Sequence, residues 1–272
     1  MGRRLAALCV VFAALCACGP VTAAHAARGC TLQPTNGTAT RTLGVRTYEL
    51  HVPAGLKGRV PLLITMHGLT QSGRTHESET GWSPFADAHG FIVAYPDGLA
   101  NSWDFGEGSY DVAFLRSVAA DIRSRWCIDP ARVYASGYSD GAHMSQRLAC
   151  DAEDVFASVT EYAGGSPNVF GGSCRLSRGV SVGLFQGEAD FIVTPAEARQ
   201  ARDEWIARDR CPPTPIDETV SEGVLQRWSP CADGAEVLWR TYPGQSHAWP
   251  QGARGDDMRS RMWSFLMAHP RP

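Results

Sequence analysis

Short apolar segments recur along the chain and alternate with segments of helical spacing. The apolar segments predict strands at 47–53, 60–66, 91–95, 133–138, 156–162, 180–186 and 236–242. Apolar side chains recur at helical spacing from 111 to 126, and helices are also predicted after Ser139, at 195–210 and around Met262. Because parallel strands need helical crossovers, this alternation predicts an α/β fold with a mostly parallel central sheet that helices cover on both faces.

The first 26 residues have the pattern of an export signal. Arginines precede an apolar run at 5–18, and Ala-His-Ala at 24–26 fits a cleavage site. The run is shorter than the roughly 18–20 residues that a membrane-spanning helix needs, so we expect a secreted protein with a single domain at 27–272. A second interpretation keeps a membrane anchor, because the sequence around Cys18 resembles a bacterial lipoprotein signal in which this cysteine is acylated.

The charge balance and the composition exclude several classes of protein. The 272 residues include 25 Lys and Arg against 28 Asp and Glu, so there is no basic excess to neutralise a nucleic-acid backbone. With 44% hydrophobic and 19% charged residues, the composition argues against disorder, a collagen-like repeat and a coiled coil. We therefore expect a globular monomer with no nucleic-acid partner and no membrane span.

An even number of cysteines lies beyond the export signal, which indicates disulfides formed outside a reducing compartment. None of these cysteines has the C-x-x-C spacing of a zinc or redox site, so no metal is expected. The sequence alone leaves the pairing open. Cys211–Cys231 is favoured because it closes a polar, proline-rich excursion, and Cys150–Cys174 and Cys30–Cys127 complete a set of three disulfides.

The most specific single motif is Gly-Tyr-Ser-Asp-Gly at 137–141, which has the pattern G-x-S-x-G. It lies between the predicted strand at 133–138 and a predicted helix, where a sharp turn presents a serine hydroxyl above the end of a sheet. In this context we interpret Ser139 as a nucleophile. The backbone N–H of Asp140 is then expected to stabilise an oxyanion, while its carboxylate favours the start of the helix.

A serine hydroxyl is a weak nucleophile and needs a base, which in turn needs an acid to orient it. Three histidines follow the serine in the chain. His143 lies one turn into the nucleophile's own helix and is interpreted as structural, and His269 lies in a C-terminus that is expected to fray. His247 follows the last predicted strand and is the predicted base. His76 and His89 are expected on the surface.

Asp190 is the predicted acid. It follows a predicted strand, and loops at the carboxyl ends of parallel strands carry the chemistry in such sheets. Its predicted role is to hold the tautomer of His247 and to stabilise the imidazolium without taking the proton. Glu188 is the nearest alternative, and Asp217 and Asp233 are more distant ones.

The loop after an early strand is expected to supply a second oxyanion donor. His-Gly-Leu-Thr-Gln occupies this place, and the backbone N–H of Leu69 or Thr70 suits the role. His67 itself is interpreted as a residue that braces the loop. Trp103 and Trp249 lie in other loops and are predicted to bind substrate as aromatic walls, with packing in the core as an equal alternative.

Several motifs occur together and in a fixed order. They are His-Gly-Leu-Thr-Gln at 67–71, Tyr-Pro-Asp-Gly at 95–98, Asp-Val-Ala-Phe at 111–114, Ile-Asp-Pro-Ala-Arg-Val-Tyr at 128–134, Gly-Tyr-Ser-Asp-Gly at 137–141, Gly-Glu-Ala-Asp at 187–190, Cys-Ala-Asp-Gly-Ala at 231–235 and Gly-Gln-Ser-His-Ala-Trp-Pro at 244–250. This set resembles secreted esterases of the polyhydroxybutyrate-depolymerase and feruloyl-esterase type in the α/β-hydrolase superfamily, over nearly the whole chain after the export signal.

The resemblance implies an α/β-hydrolase fold and catalysis by Ser139, Asp190 and His247, with no metal or organic cofactor. Members of the family often have a second glycine where Ala142 stands here, and a histidine where Gln186 stands. Neither change removes a triad group. The two differences therefore bear on loop packing and substrate shape, and not on the reaction class.

The predicted function is hydrolysis of a carboxylic ester, and the sequence does not choose among feruloyl, hydroxybutyrate and acetyl esters. The substrate is expected to be a small-molecule or oligomeric ester, such as a plant polysaccharide ester or a hydroxyalkanoate. Solid polymer is disfavoured because the chain length leaves no room for the separate polymer-binding module that polyester depolymerases often carry. A serine peptidase or thioesterase with the same triad, and a non-catalytic secreted binding protein, are the alternatives.

Overall fold

The computed structural model describes residues 36–166, 168 and 173–272; the predicted export signal and Cys18 lie outside them. The strands are β1 (Gly37–Leu43), β2 (Arg46–Val52), β3 (Val60–Met66), β4 (Ile92–Pro96), β5 (Ile128–Tyr138), β6 (Ser158–Tyr162), β7 (Ser181–Gly187), β8 (Ile216–Asp217), β9 (Leu225–Trp228) and β10 (Val237–Tyr242). The helices are α1 (Gly73–Thr80), α2 (Trp82–His89), α3 (Tyr110–Arg125), α4 (Asp140–Asp151), α5 (Pro195–Arg208) and α6 (Gly252–Ala268), with short 3₁₀ turns at Leu99–Asn101 and Ala232–Gly234. Within these described ranges, no helix is long and apolar enough to cross a bilayer.

The strands of the described part of the chain form one ten-stranded sheet in the order β1-β2-β4-β3-β5-β6-β7-β10-β9-β8. Neighbours from β4 to β10 are parallel, which confirms the predicted mostly parallel sheet. Pairing is antiparallel at both edges, between β1, β2 and β4 and between β10, β9 and β8. The sequence pattern does not predict β1, β8 or β9. These edge strands are short or carry polar, exposed side chains, so they lack a strong apolar signal.

Helices pack on both faces of the sheet, as predicted, and enclose two apolar layers. Side chains of α3, α4 and α5 share one layer with Leu62 and Ile64 of β3. Side chains of α2 and α6 share the other layer with Leu63, because successive residues of a strand point to opposite faces. The carboxyl ends of the parallel strands thus meet at one edge of the sheet, where the loops with the predicted site residues begin.

Two of the predicted disulfides, Cys150–Cys174 and Cys211–Cys231, are confirmed. The second joins residues with a sequence separation of 20, and the loop-entropy model assigns such a bridge about 3 kcal/mol of stabilisation. It ties the end of α5 to the turn before β10. Cys30, and with it the predicted Cys30–Cys127 pairing, lies outside the described residues.

Candidate active site

β5 ends at Tyr138, α4 begins at Asp140, and Ser139 forms the turn between them. Its backbone has φ 55° and ψ −115°, a conformation that is strained for a residue with a side chain and is typical of a serine at a strand–turn–helix junction. The junction is tight, since a Cβ atom on Gly137 would lie 2.0 Å from the carbonyl oxygen of Gly141. The packing therefore requires glycine at position 137, and it places Ser139 at the carboxyl edge of the sheet.

The structure brings Ser139, His247 and Asp190 together. The Nε2 atom of His247 lies 2.8 Å from Oγ of Ser139, and its Nδ1 atom lies 2.7 Å from Oδ2 of Asp190. The other oxygen of Asp190 accepts hydrogen bonds from the backbone N–H groups of Ile192 (2.9 Å) and Val193 (3.1 Å). The Asp190 carboxylate is fully buried, so these donors replace its hydration. An Nδ1–H group that donates to Asp190 leaves the Nε2 lone pair free to accept the serine proton.

The alternative acids are engaged elsewhere. Glu188 is exposed and accepts a hydrogen bond from a threonine hydroxyl on β10. Asp217 lies in the edge strand β8 and accepts from a glutamine of β9, and Asp233 accepts from the backbone N–H of Gly179. Of the three, none makes the contact that Asp190 makes with the imidazole. In the described ranges, no group of three His, Cys, Asp or Glu side chains is arranged to hold a metal ion.

The alternative histidines use their ring nitrogens to hold backbone groups. His143 donates from Nδ1 to the carbonyl oxygen of Ser139 (2.9 Å) and accepts the N–H of Gly165 at Nε2 (3.1 Å). Burial lowers the pKa of His143, so the ring favours this neutral form. His269 lies at the end of α6, where it bonds the carbonyl oxygen of Phe265. Neither ring contacts the Ser139 hydroxyl.

His76 is buried, which corrects the expectation that it lies on the surface, whereas His89 is exposed as expected. The Nε2 atom of His76 lies 2.9 Å from the hydroxyl of Thr65, and the His76 ring packs edge to face against Trp249. Burial lowers the pKa of His76 to about 3, so the ring is neutral near pH 7. The sequence could not indicate this because α1 is polar on all sides and has no apolar stripe to mark its inner face.

The structure distinguishes between the two candidates for the second oxyanion donor. The backbone N–H of Thr70 donates to the carbonyl oxygen of Asn101 (2.8 Å) and is already in use. The N–H groups of Leu69 and Asp140 donate to no group of the described residues, so both are available to a ligand. Of the two, Leu69 is therefore the candidate that the geometry leaves to act beside Asp140.

Trp103 packs in the core and does not wall a cleft. It is only 3% exposed, its indole N–H donates to the carbonyl oxygen of His67 (2.9 Å), and its backbone N–H donates to the Asp140 carboxylate (2.8 Å). His67 accepts the N–H of Gly98 at Nε2 (2.9 Å), so it braces two loops, as expected. Of the two roles predicted for Trp103, the structure therefore favours packing, because its ring joins these loops and leaves almost no surface to a ligand.

Trp249 lies beside the base and lines a cavity of about 350 Å³. The residues that line this cavity with it are Gln71, Glu79, Tyr138, His247, Ala248 and Gln251. Trp249 itself is only 5% exposed, so most of its ring packs against the protein. Its contact with substrate stays a prediction.

Sequence patterns missed three buried groups near the serine turn. Tyr138 and Tyr162 end β5 and β6, and their hydroxyls bond the loop that carries His247. Glu161 of β6 is fully buried, and no side chain within the described ranges hydrogen-bonds to its carboxyl oxygens. Burial raises the pKa of Glu161 to about 8. The place of Tyr138 inside the serine motif is a usable signal, but nothing in the local pattern separates Tyr162 or Glu161 from ordinary strand residues.

Comparison with known families decides where the chain belongs. Residues 46–182 match the model of the family described as Esterase PHB depolymerase, a span that starts at β2 and includes the Ser139 turn. The chain belongs to this family. The resemblance that the ordered motifs indicate is thereby confirmed.

The chain is also similar to individual members of this group. It is 26% identical over 229 residues to a bifunctional acetylxylan esterase/xylanase of Neocallimastix patriciarum (81% of this chain, 33% of the relative). It is 26% identical over 240 residues to poly(3-hydroxyalkanoate) depolymerase C of Paucimonas lemoignei (74% and 58%), and 29% identical over 238 residues to feruloyl esterase B of Piromyces equi (78% and 44%). The chain thus matches between 33% and 58% of the length of these relatives.

A solved structure supports the fold. An acetyl xylan esterase from Aspergillus awamori superposes with a TM-score of 0.70 at 17% sequence identity, over 85% of this chain and 100% of that enzyme. At this identity the similarity concerns the fold, which is the predicted α/β-hydrolase fold.

Proposed function

We propose that this protein is an extracellular serine esterase of the feruloyl esterase and polyhydroxybutyrate depolymerase type, with Ser139, His247 and Asp190 as its catalytic triad. One observation carries the proposal: His247 lies 2.8 Å from the Ser139 hydroxyl on one side and 2.7 Å from the Asp190 carboxylate on the other. This is the arrangement that makes a serine hydroxyl nucleophilic near neutral pH. Membership of an esterase family and the names of the relatives support ester hydrolysis as the reaction.

The reaction proceeds in two halves. Ser139 Oγ attacks the ester carbonyl while His247 Nε2 takes the serine proton, and the backbone N–H groups of Asp140 and Leu69 hold the oxyanion. His247 then gives its proton to the departing alcohol, which leaves an acyl group on Ser139. In the second half, His247 activates a water molecule that releases the acid and restores the serine. Throughout, Asp190 stabilises the imidazolium of His247 without accepting its proton.

Extracellular localisation has two supports. The N-terminal sequence carries the pattern of an export signal. The disulfides Cys150–Cys174 and Cys211–Cys231 are of a kind that persists outside reducing compartments.

A fluorophosphonate probe tests whether the protein is a serine hydrolase. We expect covalent modification of Ser139, because only an activated serine attacks the phosphorus atom, and peptide mass spectrometry locates the adduct. Heat-unfolded protein is the control and should remain unlabelled. An unlabelled native protein, or an adduct on another serine, would remove the basis of the proposal and favour a binding protein.

The cavity beside His247 indicates what kind of alcohol leaves. Because His247 must protonate the departing alcohol, the side chains that share its cavity face the alcohol portion of the ester. The amide of Gln71 donates a hydrogen bond to the Glu79 carboxylate, and the amide of Gln251 donates to the backbone carbonyl oxygens of Glu79 and Trp249. The cavity lining also offers acceptor oxygens, from the Glu79 carboxylate and the Gln251 amide. Acceptors suit the hydroxyl donors of a sugar, so we propose carbohydrate esters in preference to hydroxyalkanoates.

Two acetate esters that differ only in their alcohol test this substrate class. We expect kcat/KM for acetylated xylo-oligosaccharide to exceed that for butyl acetate by roughly tenfold, because several hydroxyls of the sugar pair with the acceptor oxygens of the exposed side chains of Glu79 and Gln251. Glu79→Gln should lower the value for the sugar ester far more than the value for butyl acetate. Equal values for the two esters, or faster cleavage of a hydroxybutyrate oligomer, would contradict the carbohydrate assignment without touching the triad.

A further inference from the structure

Two tyrosines lie side by side under the loop that carries the base. Tyr138 ends β5 directly before the serine, and Tyr162 ends β6, where the two residues pair across the parallel strands. Their rings stack, with centroids 5.9 Å apart and planes inclined by 16°. The hydroxyl of Tyr138 donates to the backbone carbonyl oxygen of His247 (2.9 Å), and the hydroxyl of Tyr162 donates to that of Ser246 (2.9 Å).

The loop depends on these bonds because it has little regular structure of its own. Between β10 and α6 the chain forms turns without a helix or strand. The Tyr138 ring lies 5.3 Å from the His247 ring, and Trp249 meets the rings of both tyrosines edge to face. The backbone that carries the imidazole is thus held from the sheet side by two hydroxyls and one aromatic cluster.

The nucleophile and the base reach the site from elements that lie 108 residues apart in sequence, and their contact must be held at 2.8 Å. Tyr138 is covalently next to Ser139 and hydrogen-bonded to the backbone of His247, so it links the two elements directly. We propose that Tyr138 and Tyr162 are positioning residues that set the distance between the Ser139 hydroxyl and His247. This inference rests on the proposed serine esterase function and adds a role to two residues outside the triad.

Both hydroxyls are suited to remain donors. Burial raises the pKa of the Tyr138 phenol to about 12, and the nearby carboxylates of Asp190 and Glu79 act in the same direction. Burial raises the pKa of Tyr162 further still, again with Asp190 adding to the effect. The phenols therefore keep their protons over the range in which a histidine base operates.

Tyr138→Phe removes the hydroxyl and keeps the ring. We expect kcat, per site titrated with fluorophosphonate, to fall roughly 10- to 100-fold, because a misplaced catalytic group costs that much in rate. The KM of the variant should stay within about threefold of the parent value. The rate of fluorophosphonate labelling should fall in parallel with kcat. Tyr162→Phe acts on the neighbouring carbonyl, so its effect should be smaller, and the double variant should lose less than the product of the two single losses.

Tyr134→Phe is the matched control. Tyr134 lies on the same strand and the same face as Tyr138, and its buried hydroxyl has no hydrogen-bond partner among residues 36–166, 168 and 173–272. Its kcat should remain within about twofold of the parent value. A Tyr138→Phe variant with unchanged kcat, or one whose loss matches that of Tyr134→Phe, would overturn the positioning role. If the parent protein itself is not labelled at Ser139, the proposed function fails instead, so the two failures are distinct.

Discussion

Replacing Ser139 with alanine should leave a folded protein whose ester turnover is lower by roughly 10⁴- to 10⁶-fold. The substitution removes the hydroxyl that we propose as the nucleophile and that lies 2.8 Å from Nε2 of His247. The residual rate reflects the oxyanion donors and substrate binding, which do not need the hydroxyl. The measurement is kcat/KM on a soluble acetyl ester, together with the thermal midpoint. Loss of one hydrogen bond of about 1 kcal/mol should shift that midpoint by only a few degrees.

Ser136→Ala is the matched control for this experiment. Ser136 lies in the same strand, is fully buried, and bonds the hydroxyl of Thr160 rather than His247. Its removal should change turnover by no more than about threefold while costing stability on a similar scale. A Ser139→Ala protein with more than about a tenth of the parent turnover would mean that another group is the nucleophile.

The contact among Ser139, Asp190 and His247 could be predicted because the place of each residue follows from local pattern and chain order. Ser139 lies in a motif whose strand and helix are both visible as hydrophobic periodicity. Asp190 and His247 follow later parallel strands, and the α/β alternation brings the ends of such strands to one edge of the sheet. Each inference needs only the order of elements, which short-range patterns contain.

The choice of the second oxyanion donor and the role of Trp103 depend on contacts between segments that are distant in sequence. A local sequence pattern contains no information about such contacts. Thr70 is excluded as an oxyanion donor only because Asn101 accepts its N–H. Trp103 is a packing residue because the carbonyl of His67 and the carboxylate of Asp140 take its two N–H groups. The sequence around Trp103 and Trp249 does not distinguish a packing role from a substrate-binding role. The role of each ring depends on which loop packs against it in the fold.

Replacing Glu161 with glutamine should stabilise the protein at alkaline pH. Glu161 is fully buried in β6, beside Gly137 of the serine turn in the strand register, and no side chain of the described residues hydrogen-bonds to its carboxyl oxygens. Burial raises its pKa from 4.5 to about 8, because the charged form would lose its hydration and the backbone N–H of Gly164 offsets only part of this cost. In the folded protein the group is therefore protonated at neutral pH, whereas in the unfolded chain it is ionised.

The sign of the pH dependence follows from this difference in proton binding. Below the unfolded pKa of 4.5 the carboxyl is protonated in both states, and its contribution to stability is fully present. As pH rises toward the folded pKa of about 8, the unfolded state gains by releasing a proton and the contribution is progressively lost. The total loss across this interval is on the order of 4 kcal/mol, which is a large part of the stability of a typical domain.

Urea unfolding of the parent protein and of Glu161→Gln measures this effect. The amide has nearly the same shape and no charge, so the variant should exceed the parent in unfolding free energy by about 3–4 kcal/mol near pH 8 and by much less near pH 5. Other titrating groups are common to both proteins, so the difference between the two curves isolates Glu161. Parallel curves would mean that the folded protein holds Glu161 ionised. Because Tyr162, the next residue, accepts the N–H of Ser139 through its carbonyl oxygen, the variant should also keep its turnover to higher pH than the parent.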